Sequence, residues 1–292
     1  MFSRNGIMGG LKMKKWYMII DIEKCEDCNN CFMACKDEYV GNDFPPYSVS
    51  QPLHGHRWMN IMRKEKGSGS LIEVAYCPTP CMHCEDPVCI KASEGSITKR
   101  SDGIVIIDPV KSKNKKHLVE ACPYNAIWWN EDEKIPQKCD FCAHLIDDGW
   151  NKPRCVQACA TGALTAVSMD ENEMRKYVDE NGLEVLHPEF NSKPQVYYKN
   201  LHKYTKSFIA GSVCYIDDNL KECAKDASIK LTKDNMVIGE TSTDYFGDFK
   251  FEHLEDNSGK YELMVNFKRY PDKNVTVDLK ESVNIGDICL NE

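Results

Sequence analysis

The sequence lacks the features of several large classes of protein. It has no apolar run long enough to cross a membrane, and its mean hydropathy is −0.51. Its first 20 residues contain no apolar core of the kind that a secretory signal peptide needs, so we expect a cytoplasmic chain. No glycine-rich nucleotide loop, pair of catalytic carboxylates or nucleophile–histidine pattern stands out. This chain alone is therefore not expected to be a catalyst.

Cysteine is the residue that the chain has in excess, at 16 of 292 residues. Disulfide scaffolds with a high cysteine content are usually short, secreted chains. Because this chain is long and no secretory leader is evident, thiolates that bind metal explain the cysteines better. Thirteen of them precede residue 207, and only Cys214, Cys223 and Cys289 follow it, where we expect them to be buried core thiols.

Charge and hydrophobic pattern divide the chain near residue 205. Residues 1–206 carry 27 basic and 28 acidic side chains, whereas residues 207–292 carry 10 and 17. This acidic second part argues against nucleic acid and anionic membranes as partners. It also alternates apolar and polar residues in short segments such as SIKLT and KYELMVNF, which is typical of antiparallel strands. We expect a flexible extension at 1–15, a cysteine-rich domain at 16–205 and an all-β immunoglobulin-like sandwich at 206–292.

Few regular elements are predicted in the first domain. Short apolar strands are expected at 17–22, 103–108 and 126–129, and a helix at 171–180 that ends at Asn181-Gly182. Segment 43–70 contains Pro45, Pro46 and three glycines and is expected to be irregular, whereas 193–201 is expected to be an extended connector.

The strongest metal-binding pattern is Cys25-x₂-Cys28-x₂-Cys31-x₃-Cys35. In bacterial ferredoxins this spacing gives three thiolates to one [4Fe–4S] cluster and the fourth to a second cluster. Structural zinc sites use paired CxxC knuckles instead, so a zinc protein is the weaker alternative. A zinc protein would lack the visible absorption of iron–sulfur clusters.

Three further cysteine groups follow the same plan with losses. The second is Cys81-x₂-Cys84-x₄-Cys89, with Ser93 where a fourth cysteine would fall. The third retains only Cys122, because positions 112, 115 and 118 hold serine, lysine and leucine. The fourth is Cys139-x₂-Cys142-x₁₂-Cys155-x₃-Cys159.

These losses select one way of pairing the groups. If the first group pairs with the second, Cys159 has no site, and if the first pairs with the third, Cys35 has none. Pairing the first with the fourth and the second with the third leaves no incomplete site. The predicted quartets are Cys25, Cys28, Cys31 and Cys159; Cys35, Cys139, Cys142 and Cys155; and Cys81, Cys84, Cys89 and Cys122. We therefore expect three [4Fe–4S] clusters with twelve cysteine ligands.

Some alternatives stay open. A [3Fe–4S] or serine-ligated centre would use Ser93, and Cys77 is either a spare buried thiol or a replacement ligand. His83 and His144 lie beside predicted ligands and are either exposed or hydrogen-bonded to a cluster. His54, His56, Arg57 and Trp58 are either surface residues anchored by the tryptophan or part of a subunit interface.

The four groups, with CPYNAI at the third and CATGAL at the fourth, resemble the iron–sulfur subunits of the dimethyl sulfoxide reductase family over about residues 16–205. GHRWMNI, PTPCMHCE, QKCDFCAHLIDD, KPQVYYKNL and a β-rich end containing YFGDFKF resemble one branch, the small subunits of pyrogallol–phloroglucinol transhydroxylases. Ala160 departs from the proline that the wider family prefers after the last cysteine.

This resemblance implies two ferredoxin-like halves, and thus an α+β fold with tandem ferredoxin-like [4Fe–4S] modules before the β-sandwich. It also implies a large catalytic partner that holds molybdenum or tungsten in a bis-pterin cofactor, while this chain transfers or stores electrons. Some such complexes cross a membrane in the folded state, directed by a signal on the large subunit. The resemblance is therefore also compatible with a periplasmic location.

Two other functions remain possible from the sequence: an electron-transfer subunit of another respiratory oxidoreductase of the family, or a free-standing polyferredoxin. Segment 43–76 and the β-domain favour a subunit, since a carrier needs neither. The substrate, the choice of metal and the number of heterodimers are left open.

Overall fold

The computed structural model describes residues 13–291, so all but the last three positions of the extension predicted at 1–15 lie outside the described residues. The chain divides into two compact units. The first contains the described residues up to 62 together with 76–201, and the second contains 63–75 and 202–291. The boundary predicted from the sequence lay at 205/206 and left segment 63–75 in the first domain.

The elements of the first unit are short, and several have only three to five residues. They are β1 (Lys15–Asp21), α1 (Asn30–Tyr39), β2 (Asn60–Ser68), β3 (Leu71–Thr79), α2 (Val88–Lys91), β4 (Ile97–Lys99), β5 (Val105–Ile107), β6 (Trp128–Asn130), β7 (Ile135–Gln137), α3 (Ala143–Asp147), α4 (Arg154–Gln157), β8 (Leu164–Met169), α5 (Glu171–Asn181) and β9 (Val196–Lys199). Residues 63–75 of the β2–β3 hairpin belong to the second unit, so both strands are divided between the units.

β1 is the central strand of the largest sheet in the first unit. It pairs antiparallel with β8 and parallel with β9, in the order β8-β1-β9. α5 packs against this sheet, because Met174 and Leu183 form one buried cluster with Tyr17 and Ile19. The two-stranded ladders β4–β5 and β6–β7 complete the described sheets of this unit.

α5 begins and ends where local sequence signals place it. The Asp170 side chain accepts hydrogen bonds from the backbone N–H groups of Asn172 and Glu173, and the Glu173 side chain bonds back to Asp170 N, which forms a capping box. Gly182 ends the helix at φ +59°, the left-handed conformation that favours glycine. None of the helices within residues 13–291 is long and apolar enough to cross a membrane.

Segment 43–70 is not irregular throughout, because its last third forms β2. Four consecutive charged residues at 63–66 mask the alternation that would identify a strand. Gly67 permits the end of β2, since it has φ +98° and a Cβ there would lie 2.3 Å from the Leu71 carbonyl oxygen. Similarly, the connector expected at 193–201 contains β9.

The second unit is mostly β. After the short helix α6 (His202–Thr205), its strands are β10 (Ser207–Asp217), β11 (Leu220–Cys223), β12 (Ser228–Lys233), β13 (Met236–Ser242), β14 (Asp248–Leu254), β15 (Gly259–Asn266), β16 (Lys273–Leu279) and β17 (Val283–Cys289). They form two sheets: β10 pairs with β11, β14 and β17, and the other sheet has the order β13-β12-β15-β16.

Alternating side chains of both sheets build one hydrophobic core. Ile209 and Val213 of β10 belong to the same buried cluster as Leu231 of β12 and Leu263 of β15. The period-two pattern of the sequence therefore marks the core face of these strands. The immunoglobulin-like description is not confirmed, because that fold has two antiparallel sheets, whereas β10 here pairs in parallel with β17.

Removing a core side chain of β15 tests this assignment of faces. Leu263→Ala should lower the free energy of unfolding of the second unit by about 2–5 kcal/mol, since Leu263 is fully buried. Met264 is the next residue on the same strand and is 38% exposed, so Met264→Ala should change it by at most about 0.5 kcal/mol. Hydrogen exchange of the β12 and β15 amides measures both. Equal effects of the two changes would contradict the assignment.

Candidate metal centres

The first cysteine group lies where β1 leads into α1. Cys25 and Cys28 occupy the loop between them, and Cys31 and Cys35 are four residues apart on α1, so they share one face of the helix. Ile20 at the end of β1 pairs with Leu164 at the start of β8. Cys25 comes five residues after Ile20 and Cys159 five residues before Leu164, so this pairing brings the two cysteines together.

The thiols of the first quartet influence one another. Burial raises the pKa of the Cys31 thiol to about 12, and nearby negative charge on Cys25, Cys159 and Cys28 adds to the rise. Cys28 is the exposed member of this quartet, whereas Cys31 is buried. Cys159 thus lies with the cysteines of the first group, although more than a hundred residues separate them in sequence.

The second quartet is the most deeply buried. Burial raises the pKa of the Cys155 thiol far above its ordinary value, with nearby charge on Cys142, Cys139 and Cys35 adding to it. α1 and α4 pack against each other, and this contact places Cys35 of α1 near Cys155 of α4. The Gln51 side-chain nitrogen lies 3.9 Å from the Cys35 sulfur and is its hydrogen-bond donor.

The third quartet surrounds a single cavity. The four thiols of Cys81, Cys84, Cys89 and Cys122 line it together with Lys138. Burial raises the pKa of the Cys89 thiol to about 12, and the other three cysteines add to the rise while Lys138 opposes it. In residues 13–291, no group of three or more His, Cys, Asp or Glu side chains is placed to hold a single metal ion.

The residues that replace the missing fourth quartet also lie together. Lys115 donates a hydrogen bond from Nζ to the Ser93 carbonyl oxygen at 2.9 Å. In the backbone, Lys115 N donates to the Ser112 carbonyl oxygen and Leu118 N to the Lys115 carbonyl oxygen. Ser93, Ser112 and Leu118 are fully buried. The Ser93 hydroxyl donates to the Ile90 carbonyl oxygen at 2.8 Å. Protein side chains therefore fill the place where the motif has lost its cysteines.

The CxxC loops share one backbone feature. In the first CxxC of the first, second and fourth groups, the residue before the second cysteine has a positive φ: Asp27 at 53°, His83 at 44° and Phe141 at 62°. A left-handed residue at this position reverses the chain and turns successive N–H groups inward, as in anion-binding nests. Phe141 N lies 3.4 Å from the Cys139 sulfur, and Ala126 N lies 3.5 Å from the Cys122 sulfur. Four thiols with backbone donors to sulfur are the donor set that suits an anionic [4Fe–4S] cluster.

Cys77 lies near the first quartet without belonging to it in the predicted pairing. It is fully buried, and burial raises the pKa of its thiol to about 12, with negative charge on Cys25 adding and a hydrogen bond with Tyr198 opposing. The three cysteines of the second unit lie in register on neighbouring strands, since Cys214 faces Cys223 of β11 and Cys289 of β17. Cys214 and Cys289 are buried, but Cys223 is exposed, contrary to its predicted place in the core.

Both histidines beside the cysteines are mostly shielded from solvent. His83 is 2% exposed and accepts a hydrogen bond at Nδ1 from Val105 N (3.0 Å), while its Nε2 has no protein partner. Because Nδ1 accepts this hydrogen bond, the ring is neutral with its proton on Nε2. Burial lowers the pKa of His83 well below its ordinary value. His144 pairs with Glu38 at 2.8 Å and stacks on Phe44.

The candidate residues at 54–58 do not form a surface cluster. His56 and Trp58 are buried, and the Nε2 of His56 lies 2.8 Å from the Trp129 carbonyl oxygen. Arg57 stacks over Phe32, with its guanidinium carbon 4.1 Å from the ring centroid, and donates to Asn29 between Cys28 and Cys31. Of the four, only His54 is exposed.

Charged residues beside Cys139 were missed in the sequence, although their place next to a ligand was a signal. Asp140 is buried, and burial raises the pKa of its carboxyl group. Its Oδ1 accepts hydrogen bonds from the Tyr39 hydroxyl and from Cys142 N, the latter at 2.9 Å. Lys138 on the other side of Cys139 is 4% exposed. Lys138 also lines the cavity of the third quartet.

The chain is similar to known iron–sulfur proteins. The family described as 4Fe-4S dicluster domain matches residues 72–169. The chain is 42% identical to the pyrogallol hydroxytransferase small subunit of Pelobacter acidigallici, over 95% of this chain and the full length of that protein. It is 30% identical to the electron transfer subunit of a thiosulfate reductase of Salmonella typhi, over 56% and 81% of the two sequences. Identity to one chain of the anaerobic dimethyl sulfoxide reductase of Escherichia coli is 32%, over 52% and 73%.

Removing the Tyr39 hydroxyl should destabilise the first unit. Tyr39→Phe leaves the buried Asp140 with one donor fewer, so we expect the free energy of unfolding to fall by about 1–3 kcal/mol. Tyr47→Phe is the matched control, because its hydroxyl donates at 2.5 Å to the partly exposed Asp147 and its loss should change stability by at most about 0.5 kcal/mol. Guanidinium unfolding of the cluster-loaded chain, followed by tryptophan emission, compares them. A smaller effect for Tyr39→Phe than for the control would contradict this account.

Proposed function

Because this protein belongs to the family of iron–sulfur electron-transfer subunits that includes the small subunit of pyrogallol hydroxytransferase, we propose that it serves a heteromeric molybdenum or tungsten enzyme. In this proposal it carries three [4Fe–4S] clusters and has no active site of its own. The observation that carries the proposal is the grouping of twelve cysteines into three sets of four within one unit.

Each cluster is assigned to one quartet. The first is held by Cys25, Cys28, Cys31 and Cys159, the second by Cys35, Cys139, Cys142 and Cys155, and the third by Cys81, Cys84, Cys89 and Cys122. Such a cluster accepts and releases one electron when bound. The protein supplies the thiolates, the inward-facing N–H groups of the CxxC loops and the burial that sets each potential.

The partner is a large catalytic subunit that holds the metal in a bis-pterin cofactor. The substrate class follows from the relative that the chain matches over nearly its full length, so we propose a complex of the pyrogallol–phloroglucinol transhydroxylase type. The length of the match supports this choice, because the thiosulfate reductase and dimethyl sulfoxide reductase subunits align with only 56% and 52% of this chain. We further propose a cytoplasmic location.

Two other functions are compatible with the same cysteine quartets. One is electron transfer in a different oxidoreductase of this family, and the other is a free-standing polyferredoxin. The first would have the same clusters and a large partner but no activity on polyhydroxybenzenes. The second would have the clusters without a partner or a second metal.

Anaerobic purification of the native complex separates these functions. We expect about twelve irons per copy of this chain, the content of three cubane clusters, together with one molybdenum or tungsten and a large co-purifying subunit. Conversion of pyrogallol to phloroglucinol by the complex identifies the substrate class. Twelve irons without a second metal or a partner would contradict the proposal in favour of the polyferredoxin.

Single cysteine variants of the complex test the ligand assignment. Cys159→Ala should lower the iron content and alter one cluster signal in electron paramagnetic resonance, because it removes a ligand of the first cluster. Cys77→Ala is the matched control: Cys77 also lies near Cys25 but has no assigned cluster, so the full iron content should remain. Loss of iron in Cys77→Ala with none in Cys159→Ala would show that the assignment is wrong.

A further inference from the structure

Lys138 is a buried cation in the wall of the third quartet's cavity. Lys138 is 4% exposed, and it lines the cavity together with Cys81, Cys84, Cys89 and Cys122. It is also the residue immediately before Cys139 of the second quartet. The amine therefore belongs to the surroundings of two proposed clusters at once.

Hydrogen bonds fix the position of the ammonium group. Its Nζ donates to the Val105 carbonyl oxygen at 2.5 Å and to the Cys139 carbonyl oxygen at 2.9 Å. An ammonium group has three donors, so these two bonds leave one for another acceptor. Neutral carbonyl groups solvate the cation but do not balance its charge.

No carboxylate in the described part of the chain forms an ion pair with Lys138. The charged groups that act on it are, in decreasing order, Cys81, Cys139, Cys89 and Asp140. Lysine is a cation in its ordinary state, and two hydrogen bonds to carbonyl oxygens hold this ammonium group in place. Asp140, the one carboxylate among them, already accepts hydrogen bonds from Tyr39 and Cys142.

A buried ammonium without a balancing charge is strongly unfavourable. The groups positioned to balance Lys138 are thiolates, and in the proposed function those thiolates bind an anionic cluster. Reduction adds one more negative charge to that cluster. A fixed cation nearby stabilises the reduced form more than the oxidised form, which raises the reduction potential.

We propose that the fixed positive charge of Lys138 raises the reduction potential of the third cluster, and to a smaller extent that of the second. This proposal rests on the proposed function, since it needs a cluster at the third quartet. His83 does not compete for this role, because Nδ1 of its ring accepts a hydrogen bond from Val105 N, which leaves the ring neutral.

Lys99 provides a matched control within the same region. It donates to the carbonyl oxygens of His83 and Cys84, so it too lies against the third quartet. However, its Nζ is paired with Glu85 at 3.0 Å, and Glu85 also pairs with Lys15 at 2.9 Å. The carboxylate offsets the charge of Lys99, so its removal should affect the cluster less than removal of Lys138.

The test is a redox titration of the whole complex followed by electron paramagnetic resonance. We expect Lys138→Met to lower the midpoint potential of one cluster more than the other two, and to lower it more than Lys99→Met does. The affected signal should be the one that Cys122→Ser alters, which identifies the third cluster. Unchanged potentials in Lys138→Met with full iron content would overturn the proposal.

Loss of the third cluster in Lys138→Met is also informative. Lys138→Gln and Lys138→Arg then separate charge from fit: the proposal expects the arginine variant to retain the cluster and the glutamine variant to lose it or show a lower potential. Loss of the third cluster in Lys138→Arg, together with an unchanged midpoint potential of that cluster in Lys138→Gln, would overturn the proposal. Wild-type iron content tests the proposed function separately, because fewer than about twelve irons would contradict three clusters whatever Lys138 does.

Discussion

The antiparallel pairing of β1 with β8 is the interaction on which the first unit depends. It places the residues leaving β1 beside the residues entering β8, and it thereby brings together Cys25 and Cys159 of the proposed first quartet. The same juxtaposition packs α1 against α4, and Cys35 then meets Cys155. Two of the three proposed quartets thus depend on one set of backbone hydrogen bonds.

The short elements of this unit need such cross-links. α2, α3 and α4 have four or five residues, too few to be stable alone, and β4 to β7 have three residues each. Iron–sulfur clusters bound at the quartets would tie these pieces together, since metal binding contributes folding free energy where no preformed site exists in the unfolded chain. Where the fourth group of cysteine ligands is missing, protein contacts take the place of a cluster: Lys115 donates a hydrogen bond to the Ser93 carbonyl oxygen, and Leu118 is buried.

Most of what the sequence shows about the site comes from the spacing of its cysteines. It led to the three quartets because each incomplete pairing leaves a cysteine without a site. Spacing says nothing about residues whose role depends on burial, such as Lys138 and Asp140, which look like ordinary surface charges in the sequence. Likewise, the charged run at 63–66 masks β2, and the parallel pairing of β10 with β17 depends on contacts between residues about seventy positions apart.

In the proposed pairing, each cysteine quartet holds one cubane cluster. Anomalous diffraction at the iron absorption edge, from crystals of the anaerobically purified complex, tests it most directly. We expect three compact four-iron peaks in this chain, with Cys159 bound to the same cluster as Cys25, Cys28 and Cys31. An iron cluster that binds Cys35 in place of Cys159, or a quartet without iron in fully loaded protein, would contradict it.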